Sequence, residues 1–205
     1  MGRYRADNKE AAFQEARRRF LEASIHEISE RGFEGANINR ISMAAGFAKG
    51  TIYNYFPDKR GLLVELLRDI GSAHAETLAS RTRSAVGPES KLKEFFSSGF
   101  DYVAANSTKM KLLMAALSGV DVELQAELGR SYAPLFSLLR LEILGPGMAS
   151  GAFDERDIQE TATILMTLYL GSASQVDGEG KPYLNPSAVA DFALAALRPA
   201  AAKGA

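Results

Sequence analysis

Residues 37–59 read Asn-Ile-Asn-Arg-Ile-Ser-Met-Ala-Ala-Gly-Phe-Ala-Lys-Gly-Thr-Ile-Tyr-Asn-Tyr-Phe-Pro-Asp-Lys. Asn37 is a good N-cap, so a short helix is expected over Ile38–Ala45. Gly46 suits a sharp turn, where a positive φ would penalise any side chain. A second helix is expected over Lys49–Tyr55, stopped by Pro57, with Asp58 capping the helix that follows. Two short helices around a glycine turn form a helix-turn-helix, and this motif indicates what a chain touches as well as how it folds.

The flanking sequence extends the helical pattern in both directions. Phe20, Leu21, Ser24, Ile25 and Ile28 form one stripe, predicting a helix over Phe13–Glu30, with Gly32 beyond its end. Residues 1–12 are polar and read as an arm. After the motif, helices are expected at Lys59–Thr82, Glu89–Ala105, Thr108–Leu117, Val122–Ile143, Glu155–Gln175 and Ser187–Leu197. Pro134 is expected to strain one of them. Gly145-Pro146-Gly147 is expected to interrupt the chain before a further turn to Ala149. Gly119–Asp121 reads as a turn, Asp177–Asn185 as a loop, and the Ala-rich tail after Pro199 as frayed. Nothing alternates at period two for a strand's length. The expectation is an all-α fold of about nine helices. Its domains are a helix-turn-helix unit at 1–58, with the arm at 1–12, and a helical effector-binding and dimerisation domain at 59–205.

Composition narrows the function classes. The chain has 205 residues, 46% hydrophobic and 24% charged, an ordinary globular balance. It has no cysteine, so a disulfide, a thiolate nucleophile or a Cys-ligated zinc is excluded. The N-terminus lacks the apolar core of a secretory signal, no apolar run reaches membrane-span length, and a cytoplasmic protein is expected. The net charge of −1 conceals an asymmetry. Residues 1–60 carry 11 Lys/Arg against 8 Asp/Glu, and residues 61–205 carry 13 against 17. This is a basic head suited to phosphates and an acidic body that is not.

The residue types of the second short helix fit a major groove. Lys49 offers a charge for a phosphate or a guanine edge, and Gly50 permits close approach. Thr51 brings a hydroxyl and a methyl, while Tyr53, Asn54 and Tyr55 bring phenols and an amide. Ile52 and Phe56, with Ile38, Ile41 and Ala45, face the core. Asn37, Asn39 and Arg40 sit where exposed helix N–H groups favour phosphate, and Lys59 repeats that arrangement.

Over Arg17–Leu66 the chain resembles the TetR family of transcriptional regulators. The resemblance rests on the Arg-rich first helix, Gly32-Phe33, Ile41, Ala45-Gly46-Phe47, Lys49-Gly50-Thr51-Ile52-Tyr53, Tyr55-Phe56, Lys59 and Leu62-Leu63. It implies DNA contacts at Asn37, Asn39, Lys49, Gly50, Thr51, Tyr53, Asn54, Tyr55 and Lys59. Ala48 departs from the Ser or Thr frequent there and cannot cap the recognition helix; Ser42 keeps the usual small size. The resemblance also implies an effector pocket in the later helices and a homodimer formed through the last two long ones. Phe96, Phe100, Met110, Met114, Tyr132, Phe136, Met166 and Tyr169 are the candidate pocket lining, with Tyr102, Arg140 and Gln175 as polar handles. Leu165, Leu168, Val189, Phe192, Ala193 and Ala196 are the candidate dimer seam.

The expected function is a repressor released from a near-palindromic operator by a small apolar or amphipathic effector. The two recognition helices would lie about one DNA turn apart, ~34 Å. The alternative is a helical small-molecule or partner-binding protein without an operator. An enzyme is disfavoured. His26 and His74 are the only histidines, no metal-loop or nucleophile-elbow pattern occurs, and neither a metal nor a cofactor is expected.

Overall fold

The computed structural model describes residues 2–119 and 121–199, with side chains from residue 8 onward except at 118. The helices are α1 (Gly2–Gly35), α2 (Ile38–Ala44), α3 (Lys59–Ser84), α4 (Pro88–Ala105), α5 (Ser107–Ser118), α6 (Val122–Leu138), α7 (Gly145–Ala149), α8 (Ile158–Ala173) and α9 (Pro186–Leu197). A 3-10 turn covers Thr51–Asn54, and a π-helical turn covers Leu139–Leu144. Among the described residues the one β feature is an isolated bridge between Val176 and Pro182. The fold is all-α, as the periodicity requires. The Ala-rich tail after Pro199 and the middle of the Gly119–Asp121 turn lie outside the described residues.

Two compact units divide at Asp69/Ile70, inside α3, instead of at residue 58. A cap at Asp58 marks where a helix begins, whereas packing decides where a unit ends. Leu62, Leu63 and Leu66 in the first turns of α3 are buried with the N-terminal unit's core. That core is built on Phe20, which is fully buried, with Ile41, Ile52 and Phe56. The polar segment expected as an arm forms the first turns of α1. Gly32 breaks the helical path near the end of α1 with φ 68°, ψ 168°. Asn37 caps α2 as its side chain predicts, accepting from the N–H groups of Asn39 (2.9 Å) and Arg40 (3.2 Å). Asn37→Ala leaves these donors to water and is expected to lower stability by about 1 kcal/mol in urea unfolding.

The C-terminal unit departs from expectation around Pro146. The chain does not stop there. The helical path continues from α6 through a wide turn, in which the Gly145 N–H bonds the carbonyl of Arg140, into α7. A proline inside an α-helix clashes with the carbonyl four residues back and lacks its own N–H; the π turn absorbs both defects. Gly147 lacks the Cβ that would sit 2.0 Å from the buried Phe153 ring, so close packing accounts for this glycine without any chain break. Pro134 is tolerated inside α6. The start of α8 moves to Ile158, capped by Asp157, whose carboxylate accepts from the Glu160 N–H at 2.7 Å.

The candidate dimer seam divides in two. Leu165, Val189 and Ala193 are buried inside the subunit and have no area left for a partner. Leu168 is half-buried, while Ala196 and Phe192 (69% exposed) face outward with Ile164 (59%). Both helices carry small and apolar residues on more than one face, so composition marks the helices correctly without indicating which stripe faces outward.

Candidate nucleic-acid interface and ligand site

Two glycines frame the turn after α2. Gly46 and Gly50 both adopt φ 83°, in the region open to glycine and costly for a residue with a Cβ. Between them lie Phe47, Ala48 and Lys49. The buried Ser42 hydroxyl donates to the Ala48 carbonyl at 2.6 Å, tying α2 to the turn. Beyond the small size expected of Ser42, its hydroxyl closes the turn. The recognition segment is shorter than expected: a single 3-10 turn over Thr51–Asn54, with Gly50 ahead of it and no side-chain cap. The left-handed Gly50 excludes a regular helix beginning at Lys49.

The predicted contact residues fall into two groups. Asn39, Lys49, Tyr53 and Asn54 are exposed, and Tyr53 shows 53% of its surface. Lys49 has no hydrogen-bond or ion-pair partner among the described residues. Gly50 and Thr51 are half-buried at the base of the segment, and a Cβ at Gly50 would meet open space. The remaining contact residues are engaged within the unit. Arg40 donates to Glu27 at 2.6 Å and 2.9 Å, and this pairing holds the Glu27 carboxyl below its usual range. The Lys59 ammonium donates to the Glu34 carbonyl at 2.7 Å and lies over the Phe33 ring. Tyr55 stacks on Phe13, centroids 4.6 Å apart, and against Phe20 at 5.0 Å. Asn37 gives its side-chain oxygen to the α2 cap. Arg40, Lys59 and Tyr55 therefore serve the packing of the unit, and Asn37 serves α2. Sequence could not show this, because their partners lie 13, 25 and 42 residues away for Arg40, Lys59 and the Phe13–Tyr55 pair.

A family profile described as bacterial regulatory proteins, tetR family, matches residues 20–66, the stretch that forms this unit. The chain is 33% identical over 101 residues to the HTH-type transcriptional regulator BetI of Escherichia coli (strain K12). Over residues 20–66 the chain therefore matches the TetR family. The BetI match covers 48% of this chain and 52% of BetI, so about half the length of that relative is spanned. Across the fold, the protein is similar to the transcriptional regulator FadR from Bacillus subtilis, solved in complex with stearoyl-CoA (TM-score 0.74, 21% identity). That similarity covers 86% of this chain and 95% of FadR. It is also similar to AibR, solved with isovaleryl coenzyme A and operator DNA (TM-score 0.69, 19% identity, covering 90% and 98%).

In the C-terminal unit the candidate pocket residues scatter. Phe100 lines a cavity of about 350 Å³ beside Asp101, Tyr183 and Leu184. Met110 and Met114 line a small one of about 60 Å³ with Val103 and Val176. A third, of about 390 Å³, lies along α3 and α6 beside Ser72, Glu76, Arg83 and Ser131, none of them anticipated. Phe96 and Met166 are fully packed core, and Phe136 is half-buried. Of the polar handles, Arg140 donates to Gln159 at 2.6 Å, and Gln175 is exposed.

Tyr132 and Tyr169 point elsewhere. Their hydroxyls meet the two ring nitrogens of His74, each at 2.6 Å, while Tyr102 stacks on the same imidazole at 4.5 Å. His74 is fully buried, and burial lowers its pKa to about 4. The neutral ring has one N–H and one lone pair, so one phenol donates to it and the other accepts from it. Burial pushes both phenols above their usual range, and all three groups stay uncharged. The sequence signal was present, since His74 falls on a helix with apolar neighbours, but nothing local indicated two tyrosines 58 and 95 residues away. No group of three or more His, Cys, Asp or Glu suited to a metal occurs among the described residues. Among the described residues no helix is long and apolar enough to cross a membrane.

Proposed function

We propose that the protein is a ligand-responsive transcriptional regulator that binds operator DNA as a homodimer and acts as a repressor. The observation that carries this reading is the exposed, unpartnered Lys49 on a turn framed by two left-handed glycines, with Asn39, Tyr53 and Asn54 exposed around it. These groups reach phosphates and base edges without first breaking internal contacts. The family match over residues 20–66 supports the same reading. Retention on duplex DNA as a function of salt tests it. Affinity should fall steeply and linearly on a log–log plot, and Lys49→Ala should reduce that slope by about 1. A flat slope for the wild type would favour a helical binding module without an operator.

The effector reading is an apolar or amphipathic small molecule held in the C-terminal unit. Cavities of about 350 Å³ and 390 Å³ reach the size range of small-molecule sites. FadR and AibR, whose folds are similar, were each solved with a coenzyme A thioester, so acyl-CoAs of graded chain length are the first probes. A rise in melting temperature with one of them, and weaker operator binding in its presence, would support the reading. The dimer is assigned to the outward stripe of Ile164, Leu168, Phe192 and Ala196, where i,i+4 pairs on α8 and α9 leave apolar surface uncovered.

A further inference from the structure

The cations of the N-terminal unit are unevenly engaged. Arg17 pairs with Glu65, Arg18 with Glu15, Arg31 and Arg40 with Glu27, Arg68 with Glu65, and Lys59 with a backbone carbonyl. Arg19 differs. Its guanidinium lies 5.0 Å from the centroid of the Phe47 ring, and it forms no ion pair or hydrogen bond among the described residues. Glu15, one turn earlier on α1, gives both carboxylate oxygens to Arg18.

Arg19 sits against the helix-turn-helix turn. A Cβ built on Gly46 would meet its Nη2 at 2.4 Å, so the guanidinium packs directly over this glycine, which its φ requires. Phe47, on which Arg19 rests, stands two residues before Lys49, the other exposed unpartnered cation of the turn. The aromatic face holds the planar guanidinium in place while leaving its N–H donors unused.

We infer that Arg19 is a phosphate-binding residue of the DNA interface, seated on Phe47 over Gly46 to donate to the duplex backbone beside Lys49. The inference rests on the DNA-binding reading above and adds to it a contact from α1 that carries no base information. A fixed guanidinium donates in a planar fork suited to phosphate oxygens, and stacking reduces the side-chain freedom lost on binding.

The test compares wild type, Arg19→Ala, Arg19→Gln and Lys93→Ala in the full chain. Each variant removes one positive charge, and Lys93 is paired with Asp191 on the surface of the C-terminal unit. Binding is measured to an operator fragment and to an unrelated duplex over a salt series. Both Arg19 variants should lose about one unit of salt slope and weaken on both duplexes by the same factor, while Lys93→Ala keeps the wild-type slope. Wild-type slopes in both Arg19 variants would overturn the inference and leave the DNA-binding reading standing. An equal loss in Lys93→Ala would also overturn it, because net charge alone would then explain the effect. A flat wild-type slope would overturn both readings. Arg19→Gln, which keeps a side chain over the ring, guards against an effect of lost packing in Arg19→Ala.

Discussion

Tyr169→Ala is expected to destabilise the protein by about 3–5 kcal/mol, the range for deleting a large buried aromatic ring. The ring is fully buried, lies 5.3 Å from Phe95 and 6.3 Å from Phe96, and fills the space left by the missing side chain of Gly99. A Cβ on Gly99 would lie 2.2 Å from that ring, so the two positions are matched. The alanine variant opens a cavity and strips a ring nitrogen of His74 of its partner. Tyr169→Phe separates these effects. It keeps the packing, loses the 2.6 Å hydrogen bond, and should cost about 1–3 kcal/mol. Urea unfolding at fixed protomer concentration measures both. If phenylalanine were as damaging as alanine, the hydrogen bond would dominate. If phenylalanine were neutral, His74 would have found another partner.

The second large effect is a pH dependence carried by His74. Its pKa is about 4 in the folded protein against 6.5 for the ordinary side chain, because burial penalises the charged ring. Between these values the unfolded chain binds the proton and the folded one does not. Its stability contribution is therefore complete above pH 6.5, falls as pH drops towards 4, and levels off below. A shift of this size corresponds to about 3 kcal/mol. Unfolding midpoints between pH 7 and 4 check this, with His74→Gln as the reference that lacks the titrating ring. The slope unique to the wild type should disappear in that variant. Parallel curves would show that carboxylates elsewhere cause the acid sensitivity.

The same imidazole shows where sequence reading stops. Aromatic residues recurring on central helices make Tyr132 and Tyr169 candidate pocket lining, yet both hydroxyls are engaged with His74. A helical stripe shows that a face is apolar, not what covers it. The candidate dimer seam shows the same limit, since it combines the buried Leu165, Val189 and Ala193 with the outward Phe192 and Ala196. The compact units divide at Asp69/Ile70 and not at residue 58 for a related reason, since a capping signal is local and the reach of a core is not.

The sequence by itself determined the helix-turn-helix. The Asn37 cap, the positive φ at Gly46, the break at Gly32 and the cap at Asp58 all act within a few residues, and their chemistry permits few alternatives. Tertiary structure decided which of the motif's polar groups remain free. Arg40, Lys59 and Tyr55 are engaged inside the unit, while Lys49 is not. Arg19, thirty residues from Lys49 in sequence, joins it beside the turn. A charge is recorded in the sequence, but its availability depends on the acids, carbonyls and rings that folding places around it.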